Sequence, residues 1–175
     1  MNHNNWRWGC NMTWNTDQLF SSKSNDWATP QPLFDHVNAE LGPFALDAAA
    51  SDDNAKCDLY LTDALNVSWA DTLWQNGHDP GRSAVWLNPP YGRSIALWLE
   101  KAVWESKAIQ TIVILTMVRS DTMWWRNYAM QAAEIRLIAG RVRFVGAKSS
   151  APAPSCLLVF DERLRVPKVQ VVDVP

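Results

Sequence analysis

The stretch Val85-Trp86-Leu87-Asn88-Pro89-Pro90-Tyr91-Gly92 constrains this chain more than any other. Three consecutive apolar residues read as a buried strand. Two prolines end it abruptly, because neither can donate a ladder hydrogen bond. Asn88 then stands at the strand's carboxyl end, with an aromatic ring fixed three residues later. In open α/β sheets ligands bind just beyond the carboxyl ends of strands. Ser94 opens a following helix whose buried face carries Ile95, Trp98, Leu99 and Ala102. A strand, a rigid polar turn and a helix together favour a ligand site over a stiff surface loop.

The residue types suit one kind of chemistry. The exocyclic amino group of adenine is a poor nucleophile, since its lone pair is delocalised into the ring. Two acceptors on its hydrogens draw the nitrogen toward tetrahedral geometry and release that pair. The side-chain oxygen of Asn88 is one such acceptor, and the carbonyl of Pro89, held by Pro90, is the other. Tyr91 is expected to stack on the base. No strong general base is needed, and His3, His36 and His78 lie near no candidate nucleophile.

Asn88-Pro89-Pro90-Tyr91 resembles the catalytic motif of S-adenosylmethionine-dependent amino methyltransferases, and the wider chain resembles the phage-encoded DNA N-6-adenine methyltransferases. The likeness also runs through Ser24-Asn25-Asp26-Trp27-Ala28-Thr29-Pro30-Gln31 and Leu46-Asp47-Ala48-Ala49-Ala50-Ser51. It continues in Arg119-Ser120-Asp121-Thr122, Ala133-Glu134-Ile135-Arg136, Gly140-Arg141-Val142-Arg143-Phe144 and Ser150-Ala151-Pro152-Ala153-Pro154-Ser155. It covers roughly residues 20–160, in the family's order. The resemblance implies a Rossmann-like α/β methyltransferase fold, mostly parallel, with an antiparallel hairpin near the C-terminus. It implies S-adenosylmethionine as cofactor, with Thr29, Pro30, Asp47, Ala48 and Asp63 around it, and double-stranded DNA as partner. Related enzymes use the same tetrapeptide on protein glutamine or RNA base amino groups. A relative that has lost catalysis and only binds DNA is a further alternative, motivated by the absence of glycine from the turn after Asp47.

Residues read in order fill in the frame. An irregular arm is expected over 1–24, with Trp6, Trp8 and Trp14 unevenly spaced, and one methyltransferase domain over 25–175. Thr29 suits a helix N-cap, Pro30 the first helical position and Gly42 the exit, with Leu33, Phe34, Val37 and Leu41 on one face. Phe44-Ala45-Leu46 is a short strand, and Asp47 through Ser51 a turn of small residues that lets backbone amides approach a ligand. Asp47 can hold a cationic group there. Leu59-Tyr60-Leu61 could be a second strand leading to Asp63. Fifteen residues between Asp47 and Asp63 are too few for full strand–helix units of ~30 residues, so the sheet is abbreviated there. Residues 71–83 read as a polar loop and Ile112 to Leu115 as a buried strand. Ile135 and Leu137 alternate with Glu134 and Arg136, and Val142 and Phe144 with Arg141 and Arg143. Gly140 between them predicts a hairpin, and a last strand spans Leu157 to Phe160.

Charge decides where a polyanion could dock. The net charge is −2, yet residues 1–80 hold 11 acidic and three basic side chains while 119–148 carry a net +4. A local basic patch serves phosphate binding even on an acidic protein, so Arg119, Asp121, Arg141 and Arg143 are the candidate DNA-facing residues, with Arg136 also expected to face outward. Cys10, Cys57 and Cys156 are odd in number and far apart, which suggests a reducing, cytoplasmic setting and no zinc site. The longest apolar run falls far short of the ~20 residues of a membrane span, and no membrane or metal partner is expected.

Overall fold

A computed structural model describes residues 27–147, 149–164 and 168–175. The proposed arm over 1–24, its tryptophans, Cys10, His3 and Lys148 lie outside the described residues. The frame is a six-stranded sheet in the order β1-β2-β3-β5-β4-β6, with β1 at Phe44–Asp47, β2 at Ala84–Leu87, β3 at Thr111–Met117, β4 at Glu134–Ile138, β5 at Ser155–Asp161 and β6 at Lys168–Val172. β1 pairs parallel with β2, β2 with β3, and β4 with β6. β5 runs antiparallel to both β3 and β4. Five strands therefore point one way and β5 alone points back. This is the mostly parallel sheet with an antiparallel pairing near the C-terminus that the sequence led one to expect.

Hydrophobic continuity explains the central strands. β2 is buried along its whole length and β3 in all but its last residue, as expected for strands covered on both faces. One face packs on helices α2 (Trp69–Gln75), α3 (Ile95–Glu105) and α4 (Met123–Asn127) through Val85, Leu87, Ile112 and Ile114. The other face, through Trp86, Val113 and Leu115, packs on α1 (Gln31–Leu41), whose Leu33, Phe34 and Val37 are buried. Phe34, Phe44 and Trp86 meet there with ring centroids 5.5–5.8 Å apart.

Four expectations need correction. Pro30, not Thr29, is the N-cap of α1, and no side chain caps it. Residues 71–83 are not all loop: α2 starts after Ser68, whose hydroxyl accepts from Asp71 N at 3.1 Å, and Pro80–Arg82 is a 3-10 turn. The first turn of α2 is further satisfied by buried Glu105, which accepts from Trp69 N and Ala70 N at 3.1 Å each. The antiparallel partner of β4 is β5 rather than residues 141–144. Gly140 does turn the chain, at φ +77°, but the segment after it bonds elsewhere: Ala151 N donates to Val142 O at 2.8 Å and Val145 N to Ala28 O at 3.0 Å. Arg136 is buried rather than outward, because β4 is an inner strand whose second face meets α1. Its guanidinium pairs with Glu40 at 2.7 Å and with buried Glu134 at 3.1 Å. Leu59-Tyr60-Leu61 contributes a single parallel bridge to Asp47, and β6 joins as an edge strand unforeseen from the sequence.

Candidate active site

The carboxyl ends of β1, β2, β3 and β4 lie along one edge of the sheet. Asp47, Asn88, the turn holding Arg119 and the segment of Arg141 and Arg143 all follow from that edge. A cleft of about 580 Å³ opens there, a size typical of small-molecule sites. Its walls come from four places: Trp27 to Thr29 before α1, Asp47 and the turn after β1, Leu61 and Thr62, and Asn88 to Pro90 after β2.

Asp47 is the chemical anchor of one end. Only 3% of it is exposed. Its two oxygens accept from Ala49 N at 3.2 Å and Lys56 N at 3.0 Å. Burial pushes its pKa up to about 6, against the pull of those two amides and the Lys56 charge. A buried carboxylate under that strain favours a cationic partner. The turn beside it, Ala48-Ala49-Ala50, carries no side chain beyond Cβ. Ala49 and Ala50 line the cleft, while Ala48 is fully buried and donates its N–H to Trp86 O at 2.9 Å. Small alanines do here what glycines do elsewhere, since no left-handed backbone is required of them. Trp86 adds a buried indole N–H without a hydrogen-bond partner in the wall of the same cleft. A buried, cation-seeking carboxylate beside small residues fits an amino-acid-bearing cofactor.

Asn88 occupies the other end, and every hydrogen-bonding atom of its amide is engaged. Nδ2 donates to Trp27 O at 2.7 Å and to Thr29 Oγ1 at 3.1 Å. Oδ1 accepts from the Tyr91 hydroxyl at 2.9 Å, leaving one lone pair available. Tyr91 itself is outside the cleft wall. Its ring forms a triangle with Trp27 and Phe144, centroids 5.3–5.7 Å apart. Burial pushes its hydroxyl well above the ordinary tyrosine value, with Cys156 adding to the effect, so it remains a donor. The ring that this triangle turns toward the cleft is that of Trp27.

The other expected residues separate clearly. Thr29 and Pro89 line the cleft. Pro30 does not; its carbonyl accepts from Phe34 N at 3.1 Å. Asp63 is exposed, and its carboxylate accepts from Asn66 Nδ2 at 2.8 Å, while Leu61 and Thr62 just before it form the wall. Arg119 is exposed and paired with Asp121 at 3.2 Å. Arg141 and Arg143 are exposed on either side of buried Val142. Lys56 was missed by sequence reasoning: it meets Asp47 through its backbone N–H, while its ammonium donates to Gln31 Oε1 at 2.8 Å, and neither contact leaves a signal in the sequence. Trp27 and Trp98 were missed as wall residues, and nothing in their spacing announces it. The Cys57 thiol is pushed up to about 12 by burial and by neighbouring Asp47 and Asp58, and that of Cys156 to about 12 by burial. Neither serves as a thiolate near neutral pH. Among the described residues no group of side chains could hold a metal ion, and no helix is long and apolar enough to cross a membrane.

A mostly parallel sheet with an acid and small residues after its first strand, and Asn-Pro-Pro-Tyr at the end of the next, defines an α/β protein with a ligand-sized cleft beyond the carboxyl ends of its strands. Comparison with known proteins makes the class specific. A sequence model of the family described as DNA N-6-adenine-methyltransferase (Dam) matches residues 16–174, and the chain belongs to that family. It is similar to the DNA N-6-adenine-methyltransferase of Escherichia phage T1, 31% identical over 62% of this chain and 42% of the phage protein. It is also similar to the putative methyltransferase YfdM of Escherichia coli strain K12, 37% identical over 38% of this chain and 71% of that protein. The match to the phage T1 protein thus spans less than half of that relative's length. No solved structure matches the chain.

Proposed function

We propose that this protein is a site-specific DNA adenine methyltransferase, moving a methyl group from S-adenosylmethionine to the exocyclic amino group of adenine in double-stranded DNA. The observation that carries the reading is the orientation of Asn88. Its amide nitrogen is committed to Trp27 O and Thr29 Oγ1, so its oxygen is the atom left to accept from an incoming amine. Family membership favours adenine in DNA over protein glutamine or an RNA base.

S-adenosylmethionine, when bound, supplies the electrophilic methyl group. Asp47 would take its ammonium, and Ala49 and Ala50, which carry nothing beyond Cβ, would leave room in the cleft for its amino-acid end. Thr62, rather than the neighbouring carboxylate of Asp63, faces the cleft on the side expected for the ribose or adenine. Asn88 Oδ1 and the Pro89 carbonyl accept the two amino hydrogens of the target base. The nitrogen lone pair is thereby released for in-line attack, and the surplus proton leaves to solvent. Positioning does the work, and it requires the base to leave the stack. Arg119, Arg141 and Arg143, with Asp121 orienting Arg119, flank the cleft along the same sheet edge and are assigned to the DNA backbone or base edges. The proposed DNA substrate is the reason to expect the enzyme in the cytoplasm.

Tritium transfer from labelled S-adenosylmethionine to duplex DNA, RNA and protein, run side by side, tests the reading. Label in DNA adenine is expected. Label only in RNA or protein, or in none of the three, overturns it.

A further inference from the structure

A side-chain amide has two ends of nearly equal size. Half a turn about the soft terminal torsion of asparagine exchanges an acceptor for two donors. If Asn88 turned that way, it would present hydrogens to the hydrogens of an amine. Something must fix the amide, and the fixing groups come from far away in sequence. Trp27 O, which can only accept, meets Nδ2 at 2.7 Å. Thr29 Oγ1 takes Nδ2 at 3.1 Å.

Among the described residues Thr29 makes no other side-chain hydrogen bond. It was the expected cap of α1, but α1 is capped at Pro30 with no side-chain bond. Its side chain is almost wholly buried, at 2% exposure, in the wall between the two ends of the cleft. From the opposite side, the Tyr91 hydroxyl donates to Oδ1 at 2.9 Å and has the Leu115 carbonyl as a second acceptor at 3.4 Å. The hydroxyl can therefore swing away as a base arrives, whereas the grip on Nδ2 is not in the way of the base.

We infer that Thr29 is a positioning residue of the methyl-transfer step: the Trp27 carbonyl, which can only accept, sets which end of the Asn88 amide faces the target amine, and the Thr29 hydroxyl holds the amide in that plane. This role presupposes that Asn88 accepts the amino hydrogens, as proposed above. It differs from the expectation that Thr29 merely walls in the cofactor. The locked geometry matters only once the base is in place, so its loss acts on turnover and not on cofactor affinity.

The test compares Thr29→Val, which keeps the shape and loses the hydroxyl, with Thr29→Ser, which restores it. Thermal midpoints check folding, and Thr29→Ala replaces the valine variant should that one not fold. With the parent transferring label to DNA, Thr29→Val is expected to lower kcat about tenfold, the scale of one lost hydrogen bond with an amide proton left unsatisfied. Calorimetric Kd for S-adenosylmethionine should stay within about twofold, and Thr29→Ser should recover most of kcat. An increase in Kd, with or without a fall in kcat, would make Thr29 a cofactor contact and overturn the inference. So would an unchanged kcat, or a serine variant as slow as the valine one. A parent protein that transfers no label to DNA is a different result, and counts against the proposed activity itself.

Discussion

At the scale of single residues the site rests on two side chains with opposite needs. Asn88 needs its oxygen turned toward the target amine, and its nitrogen is held so that it is. Asn88→Ala is expected to remove nearly all turnover while cofactor affinity stays close to the parent's, because the contact to the target amine forms only in the transition state. The thermal midpoint should fall, since Trp27 O, Thr29 Oγ1 and the Tyr91 hydroxyl lose their partner. Asn88→Asp keeps an acceptor oxygen and should retain measurable transfer. A tritium-transfer assay beside calorimetry reads both. Asp47 needs a cation, and without one its burial is a burden. Its folded pKa, about 6 against an ordinary 3.8, is raised, so it contributes stability that is present below pH ~4 and lost as pH rises through about 6. The whole effect is on the order of 3 kcal/mol. Urea midpoints of the free protein should show this decline between pH 4 and 6, and Asp47→Asn should flatten it. Cofactor affinity should run the other way and strengthen as pH rises through 6, because a bound ammonium favours the ionised carboxylate. An affinity independent of pH across that range would remove Asp47 from the cofactor's contacts.

At the scale of elements, β4 is where local pattern and tertiary setting disagree. Alternation over Glu134-Ile135-Arg136-Leu137 reads as a half-buried strand with its charges in water. The strand is there, but its charged face meets α1, and Arg136 is only 6% exposed. Burying it is tolerated because Glu40 and Glu134 pair with it, and Gln170 and Lys168 of β6 also reach Glu134, at 2.6 and 3.5 Å. Removing one partner of such a group leaves buried charge behind. Arg136→Ala is therefore expected to cost about 3 kcal/mol or more in urea unfolding. Arg136→Met with Glu134→Leu should recover much of that loss, and DNA affinity should not follow Arg136 at all. The strands themselves were legible, since Val85 to Leu87 and Ile112 to Leu115 are unbroken apolar runs and the two prolines mark an end. Pairing was not. Residues 141–144 alternate as well as any strand, yet Val142 and Phe144 are buried against the segment before α1 while Ser155–Asp161 takes the ladder. The Asp47 turn and the Asn88 turn could be found because strand ends and prolines announce them. The grip on Asn88 could not, because Trp27 and Thr29 reach it across about 60 residues of chain.

At the scale of the whole molecule, the uneven charge becomes a geometry. Arg119, Arg141 and Arg143 follow from the same sheet edge as Asn88, while the acidic half of the chain supplies the Asp47 end of the cleft. Arg141 and Arg143 stand out from a segment whose Phe144 touches Trp27 and Tyr91, so a duplex held by these arginines lies next to Asn88. If they meet phosphates, Arg141→Ala and Arg143→Ala should each lower the slope of log affinity against log salt by about one. If one reads a base edge, the slope should hold and discrimination should fall by ~1–3 kcal/mol. Unchanged slopes and affinities in both variants would move the DNA surface away from this edge.

The reversed strand β5 has a consequence for how the molecule comes into being. It is made late, after residue 154, yet it sits between β3 and β4 in the finished sheet. Until it emerges from the ribosome, β3 has one side unpaired along seven buried residues or nearly so, and β4 has no route to join the half that carries Asn88. A nascent chain halted before residue 155 thus exposes a long apolar edge of the kind that recruits other strands. β5 is what shields the rest from association during synthesis.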